Sequence, residues 1–148
     1  MAPYDERDRV LLKYWEQAGG ILYEQVRVGK QGLDSAYRRI DAVRIQGEET
    51  KREWFDRHAE EFAELLAGAE VEVIEAKRKL NGEAIGQAIV AKHLLEIEYE
   101  TTLATPVICC EEGDAVLERI CRALGIRIWT TKKGFLVPLR PAAIAFKV

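Results

Sequence analysis

The first part of the chain changes from a helical to a strand-like pattern of apolar residues. Over residues 4–18 the apolar positions Val10, Leu11, Tyr14, Trp15 and Ala18 recur every three or four residues, which predicts a helix that ends at the glycine pair 19–20. Two short segments follow, Ile21–Val28 and residues 39–45, with the glycine-bearing stretch GKQGLDS between them. They predict an antiparallel strand pair.

The middle of the chain carries an amphipathic pattern. Between residues 50 and 66 one apolar stripe consists of Trp54, Phe55, Ala59, Phe62, Leu65 and Leu66, and acidic residues cover the other side. This spacing predicts an amphipathic helix. A strand is then predicted over residues 71–77, and after the loop KRKLNG a helix over 83–98, capped by Asn81 or Gly82.

The last third alternates again. We predict a strand over 105–110, a helix over 114–124 that Gly125 stops, a strand over 126–130, a basic turn at Lys132-Lys133-Gly134 and a strand over 135–137. No repeat, low-complexity segment or linker divides the sequence. The pattern predicts one α/β domain over residues 1–148.

Composition narrows the class of protein. The 148 residues are 48% hydrophobic and 32% charged, with a net charge of −3, which is typical of a globular chain and excludes collagen-like and disordered classes. Apolar runs such as residues 142–146 are far shorter than the roughly 20 residues of a membrane span, and the amino terminus has no apolar signal core. We expect a cytoplasmic protein with no membrane partner.

The three cysteines, Cys109, Cys110 and Cys121, match no metal-ligand spacing. They indicate reduced, buried thiols.

Three strand segments each place an acid in an apolar series. By strand alternation, Glu75 and Lys77 share a face, and Asp41 and Glu24 lie on apolar faces of their own strands. The apolar residues predicted on those faces are Val71 and Val73 for Glu75, Val43 and Ile45 for Asp41, and Leu22, Val26 and Val28 for Glu24. Burying a carboxylate is costly unless a partner compensates it, so these acids indicate either structural ion pairs or a functional site.

The order of these motifs resembles the PD-(D/E)XK nuclease superfamily. The resemblance is carried by RIDAV at 39–43, VIEAK at 73–77 and IGQ at 85–87, although Ile40 stands where the family name has proline. It implies a restriction-endonuclease-like core, with a central mixed β-sheet flanked by helices and motifs within about residues 20–130. The helix predicted over residues 50–66 is then an insertion, because compact members join the two motif strands by a short hairpin.

The resemblance also implies a function, the hydrolysis of phosphodiester bonds in DNA with Mg²⁺ or Mn²⁺, in repair, recombination or defence. Asp41, Glu75 and the backbone carbonyl of Ala76 would hold the metal. Lys77 would orient or deprotonate the attacking water or neutralise the transition state, and Gln87 would hydrogen-bond the site or the nucleic-acid backbone.

The family usually has a further acid upstream of these motifs. Glu24 is the first candidate for it, because its strand neighbours are apolar, and Glu6 and Glu16 on the first predicted helix are the alternatives.

Phosphate contacts require local positive charge, and the candidates are Arg39, Arg78, Lys79, Lys132 and Lys133. With a net charge of −3 we expect weak, salt-sensitive and metal-dependent DNA binding. Small members of the family often act as dimers because one site cuts one strand, so a homodimer is an expectation.

The alternative function is a catalytically inactive nuclease-fold protein that serves as a nucleic-acid-binding or assembly subunit. In that case the acidic face of the predicted helix, between Glu53 and Glu64, would dock a protein partner.

Overall fold

The computed structural model describes residues 6–29, 38–101 and 103–136. The predictions made for Tyr4, the stretch 30–37, Val137 and the apolar run 142–146 lie outside these residues. The described helices are α1 (Glu6–Ala18), α2 (Ala59–Leu66), α3 (Gly82–Tyr99) and α4 (Ala115–Ala123). The described strands are β1 (Ile21–Val28), β2 (Arg38–Ile45), β3 (Lys51–Trp54), β4 (Glu70–Lys79), β5 (Leu103–Glu112), β6 (Arg127–Thr130) and β7 (Gly134–Phe135).

The described strands form one mixed sheet in the order β3-β1-β2-β4-β5-β6-β7. Strands β4, β5 and β6 are parallel, β2 is antiparallel to both β1 and β4, and β3 is parallel to β1. The carboxyl ends of β1, β4, β5 and β6 therefore meet the amino end of β2 at one edge, which we call the carboxyl edge. The predicted α/β architecture with a central mixed sheet flanked by helices is confirmed.

Helices cover both faces of this sheet. On one face α1 packs Val10, Leu11 and Tyr14 against a core that includes Ile74 and Trp129. On the other face α2 and α3 bury Phe62, Leu66, Ala91 and Leu95 against β1, β2 and β4. The predicted burial of all three cysteines is confirmed. Among the described residues, no helix combines the length and apolarity that crossing a membrane requires.

The helix predicted over residues 50–66 is wrong in its first half. Residues Lys51–Trp54 form β3, which pairs in parallel with β1 at the edge of the sheet, and a short 3-10 turn precedes α2. Pairing with β1 satisfies backbone groups that the sheet edge would otherwise leave open. Trp54, assigned to the buried stripe, is 46% exposed. Helix begins only at Ala59, and of the predicted apolar stripe only Phe55, Phe62 and Leu66 are buried, whereas Ala59 and Leu65 are exposed.

The end of α1 follows the sequence prediction closely. Gly19 and Gly20 adopt φ of +71° and +78°, and a Cβ at Gly20 would lie 2.6 Å from the Ile45 carbonyl oxygen. The turn therefore requires glycine there. The buried Arg44 guanidinium donates hydrogen bonds to the carbonyls of Ala18 and Gly19, at 3.3 and 3.1 Å, and so holds the end of the helix.

Arg44 also forms a buried ion pair with Glu72, its partner in the β2–β4 register, with 2.7 Å between Nε and Oε1. We expect Arg44→Met to lower the free energy of unfolding by roughly 2–4 kcal/mol, because it removes the ion pair with the largely buried Glu72 carboxylate and the hydrogen bonds to the Ala18 and Gly19 carbonyls. Urea denaturation measures this. The double variant Arg44→Met/Glu72→Met is expected to lose less stability than the sum of the two single variants, and strictly additive losses would contradict the ion-pair account.

Candidate active site

The site begins where β2 and β4 separate at the carboxyl edge. Their pairing runs from Ile45–Val71 to Ala42–Ile74. One residue further along β2, the Asp41 carboxylate accepts a hydrogen bond from the Ala76 amide, with 2.8 Å between Oδ2 and N. A side chain thus takes the place of a backbone acceptor. Because the N–H and C=O of one strand residue face the same neighbour, the Ala76 carbonyl is directed toward the same gap.

The half-buried Asp41 and the buried Glu75 form a closely interacting pair of carboxyl groups in this gap. Glu75 is only 5% exposed. Burial, followed by the negative charge of Asp41, raises the pKa of Glu75 to about 8. Burial also raises the pKa of Asp41, opposed by the Ala76 amide and the positive charge of Arg7. The pair therefore retains a proton near neutral pH when no cation neutralises it.

Lys77 and the first turns of α3 form the solvent side of the site. Lys77 Nζ lies 3.7 Å from Glu83 Oε1. The Gln87 amide donates to the same Glu83 oxygen at 3.2 Å. The predicted cap is confirmed for Asn81, whose side chain accepts a hydrogen bond from the Ala84 amide at 2.8 Å and fixes the start of α3. Glu83 thus connects Lys77 with Gln87.

The carboxyl pair opens into a cavity of about 360 Å³ between α3, β2 and the start of α1. Its polar lining residues are Arg7, Gln25, Arg38, Arg39, Asp41, Glu75, Lys77 and Gln87. Five residues that the sequence nominated, Asp41, Glu75, Lys77, Gln87 and Arg39, are thus brought together. Arg39 is held there by donating to the Gln25 carbonyl at 3.1 Å and by pairing with Asp56 at 3.3 Å.

Two residues of the site, Arg7 and Glu83, were not indicated by the sequence motifs. A cation in the first turn of a helix is unfavourable with the helix dipole, which is the signal that could have drawn attention to Arg7. For Glu83 the signal is its four-residue spacing from Gln87, which places both side chains on one side of α3.

Glu24 does not join the cavity. It is 8% exposed and forms a two-pronged ion pair with Arg52 of β3, at 2.6 and 2.8 Å. Its predicted face was also wrong, because Val26 and Val28 pack beneath α2 and α3 whereas Leu22 packs on the α1 side.

The cause of this reversal is Gln25, whose φ of +55° shifts the alternation of β1 by one residue. Of the alternative acids, Glu16 is exposed in the last turn of α1, far from Arg7, and the Glu6 side chain lies outside the described structure.

The other predicted basic residues lie further along the carboxyl edge. Arg78 is 3.6 Å from Glu112 of β5, and Lys79 is exposed opposite Glu112 in the register. Lys132 and Lys133 line a separate depression together with Glu111 and other residues. None of these four lines the cavity of the carboxyl pair.

The predicted acidic docking face is divided between two elements. Glu53 lies on β3 and contacts His58 at 2.8 Å, while Glu61 of α2 pairs with Lys51 at 2.8 Å. Glu60 and Glu64 remain exposed on α2. Part of the negative charge of this face is therefore compensated within the chain.

The donor set at the carboxyl pair is oxygen-rich. No group of three or more His, Cys, Asp or Glu side chains suited to a metal occurs in the described parts of the chain. Two carboxylates and a nearby carbonyl are nevertheless the kind of partial set that Mg²⁺ accepts, since it keeps several waters.

Comparison of the chain with models of protein families, with curated proteins and with solved structures found no match.

The raised pKa of Glu75 has a consequence for stability without metal. The folded protein releases this proton near pH 8, whereas the unfolded chain releases it near its ordinary value of 4.5. Between these values the folded state binds more protons, so the free energy of unfolding falls as the pH rises.

We expect the wild type to lose roughly 1–3 kcal/mol more than Glu75→Gln between about pH 5 and about pH 8.5, because the amide does not ionise. Urea denaturation in a chelator at both pH values measures this. Glu64→Gln, which changes an exposed acid of α2, is the control and is expected to behave as the wild type. Parallel pH curves for wild type and Glu75→Gln would show that Glu75 ionises as an ordinary carboxyl group.

Proposed function

We propose that this protein is a metal-dependent nuclease with a restriction-endonuclease-like core that hydrolyses phosphodiester bonds in DNA. The observation that carries the proposal is the pair of Asp41, which is half-buried, and Glu75, which is buried, with Lys77 beside it in an open cavity. The element order supports it, since Asp41 on β2, Glu-x-Lys on β4 and Gln87 on α3 follow one another as the resemblance implies.

The residues of the gap fit a hard divalent cation. Two desolvated carboxyl groups in contact have a surplus of negative charge, which they neutralise with a proton when alone. Asp41, Glu75 and the Ala76 carbonyl would hold Mg²⁺ or Mn²⁺. Such an ion, when bound, would stabilise charge on the phosphate and lower the pKa of a water.

The remaining cavity residues have roles that follow from their positions. The Lys77 ammonium, close enough to lower the pKa of both carboxyl groups, orients the attacking water or neutralises charge on the phosphate. The Gln87 amide, held by Glu83, is available to hydrogen-bond a phosphate oxygen. Arg7 and Arg39 also line the cavity and would add positive charge where the phosphate backbone runs.

The biological setting we propose is repair, recombination or defence in the cytoplasm. Arg78, Lys79, Lys132 and Lys133 lie along the same carboxyl edge and would extend the contact with DNA. The described residues of one chain form one such carboxyl pair, which would cut one strand, so cleavage of both strands of a duplex would require two copies.

Cleavage of plasmid and single-stranded DNA with Mg²⁺ or Mn²⁺ tests the proposal. We expect Asp41→Ala and Lys77→Ala each to reduce the rate by about 100-fold or more, because the first removes a metal ligand and the second a charge beside the reacting phosphate. Lys13→Ala, which removes an exposed lysine of α1 outside the cavity, is the matched control. Equal activity of wild type, Asp41→Ala and Lys77→Ala would refute the nuclease assignment.

Calorimetry tests the metal site separately from catalysis. Because a cation displaces the proton shared by the carboxyl pair, Mn²⁺ binding is expected to release about one proton per ion near pH 7. Titrations in buffers of different ionisation enthalpy measure this number, and Asp41→Asn is expected to abolish the binding.

If the wild type binds DNA but takes up no divalent ion, the chain is instead a catalytically inactive nuclease-fold subunit for nucleic-acid binding or assembly.

A further inference from the structure

The cavity of the carboxyl pair has an apolar wall that the proposed chemistry does not use. The buried side chains of Val28 and Ile40 lie on the strand side. Val90, Ala91 and Leu94 form the helix side, and Val90 is 41% exposed. An apolar side chain is thus left open to solvent in the same cavity as the charged groups of the site.

The helix side of this apolar wall lies on the same side of α3 as the polar residues Glu83 and Gln87. Glu83, Gln87, Val90 and Leu94 are separated by four, three and four residues, so they lie along one side of the helix. With a rise of about 1.5 Å per residue, Val90 and Leu94 lie about 4.5 and 10.5 Å beyond Gln87 along the helix axis. A ligand whose phosphate lies at Lys77 and Gln87 would therefore place its adjoining group against Val90.

The form of DNA that could use this wall follows from its chemistry. A duplex presents phosphates and sugars outward and keeps the faces of its bases stacked inside. An unpaired nucleotide exposes an apolar base face next to its phosphate. Sites for single strands combine a positively charged groove with side chains on which bases pack, and here Arg7, Arg38 and Arg39 supply the charge around the cavity.

We propose that the cavity binds an unpaired nucleotide of single-stranded DNA, with its phosphate at the carboxyl pair and Lys77 and its base against Val90 and Leu94. This inference rests on the proposed nuclease function and adds the form of DNA on which it acts. The contact is aliphatic rather than aromatic among the described cavity residues, so the expected preference is modest.

The test compares one labelled oligonucleotide of about 20 nucleotides, alone and annealed to its complement, as substrate with Mn²⁺. The wild type is expected to cleave the single strand with a kcat/KM at least about fivefold higher than that of the duplex. Val90→Gln is expected to lose most of this preference, because KM rises for the single strand more than for the duplex.

Ile97→Gln is the matched control. Ile97 lies one turn beyond Leu94 on the same side of α3, is 76% exposed and is not part of the cavity. It is expected to behave as the wild type. Equal cleavage of single strand and duplex by the wild type, or equal behaviour of Val90→Gln and Ile97→Gln, would overturn the proposal.

A binding measurement separates this proposal from the nuclease function. Fluorescence anisotropy of the same two oligonucleotides is measured with Ca²⁺, which occupies oxygen sites. If the wild type cleaves nothing, the nuclease proposal fails, but tighter binding of the single strand that Val90→Gln weakens would still support the unpaired-nucleotide site. Equal or tighter binding of the duplex would refute that site, and an effect of Val90→Gln only on self-association would assign the wall to a second copy of the chain.

Discussion

The hydrogen bond from the Ala76 amide to the Asp41 carboxylate is the interaction on which the site depends. Where β2 leaves β4, a backbone donor of a central strand needs an acceptor, since an unpaired buried N–H is costly. A side chain meets this need, and Asp41 is thereby drawn beside Glu75. Burial and the proximity of two like charges then give the pair its affinity for a proton. The contact between Asp41 and Ala76 therefore provides an acceptor for a backbone donor, brings two like charges together and positions the groups of the proposed chemistry.

The same two strands carry two kinds of cross-strand pair with opposite consequences. At the end of these strands away from the carboxyl edge, Arg44 pairs with Glu72, and their opposite charges compensate each other beneath α1. Toward the carboxyl edge Asp41 meets Glu75, and the charges add. The first pair secures the end of α1, whose opposite end brings Arg7 to the second pair. One pair contributes to holding the fold together, and the other leaves a charge that a ligand can satisfy.

Sequence patterns predicted what depends on neighbours along the chain. The end of α1, the Asn81 cap and the common face of Glu75 and Lys77 follow from spacing and capping chemistry alone. Strand β3 was missed because its reason for being a strand is the open edge of β1, which is a tertiary fact. Glu24 was misplaced because a single left-handed residue, Gln25, reversed the alternation. The position of Arg7 in the first turn of a helix is visible in the sequence, but its place in the site depends on the packing of α1, which is a tertiary fact.

The separation of β2 from β4 at the carboxyl edge also affects how the site forms during folding. The contact between Asp41 and Ala76 joins residues 35 positions apart, and β3 and α2 must be accommodated in the intervening chain. Contacts of such separation form slowly, because the chain loses loop entropy before it gains their energy. A partly synthesised or partly folded chain therefore carries two ordinary, separate carboxyl groups. The proton-binding pair comes into existence only with the long-range topology.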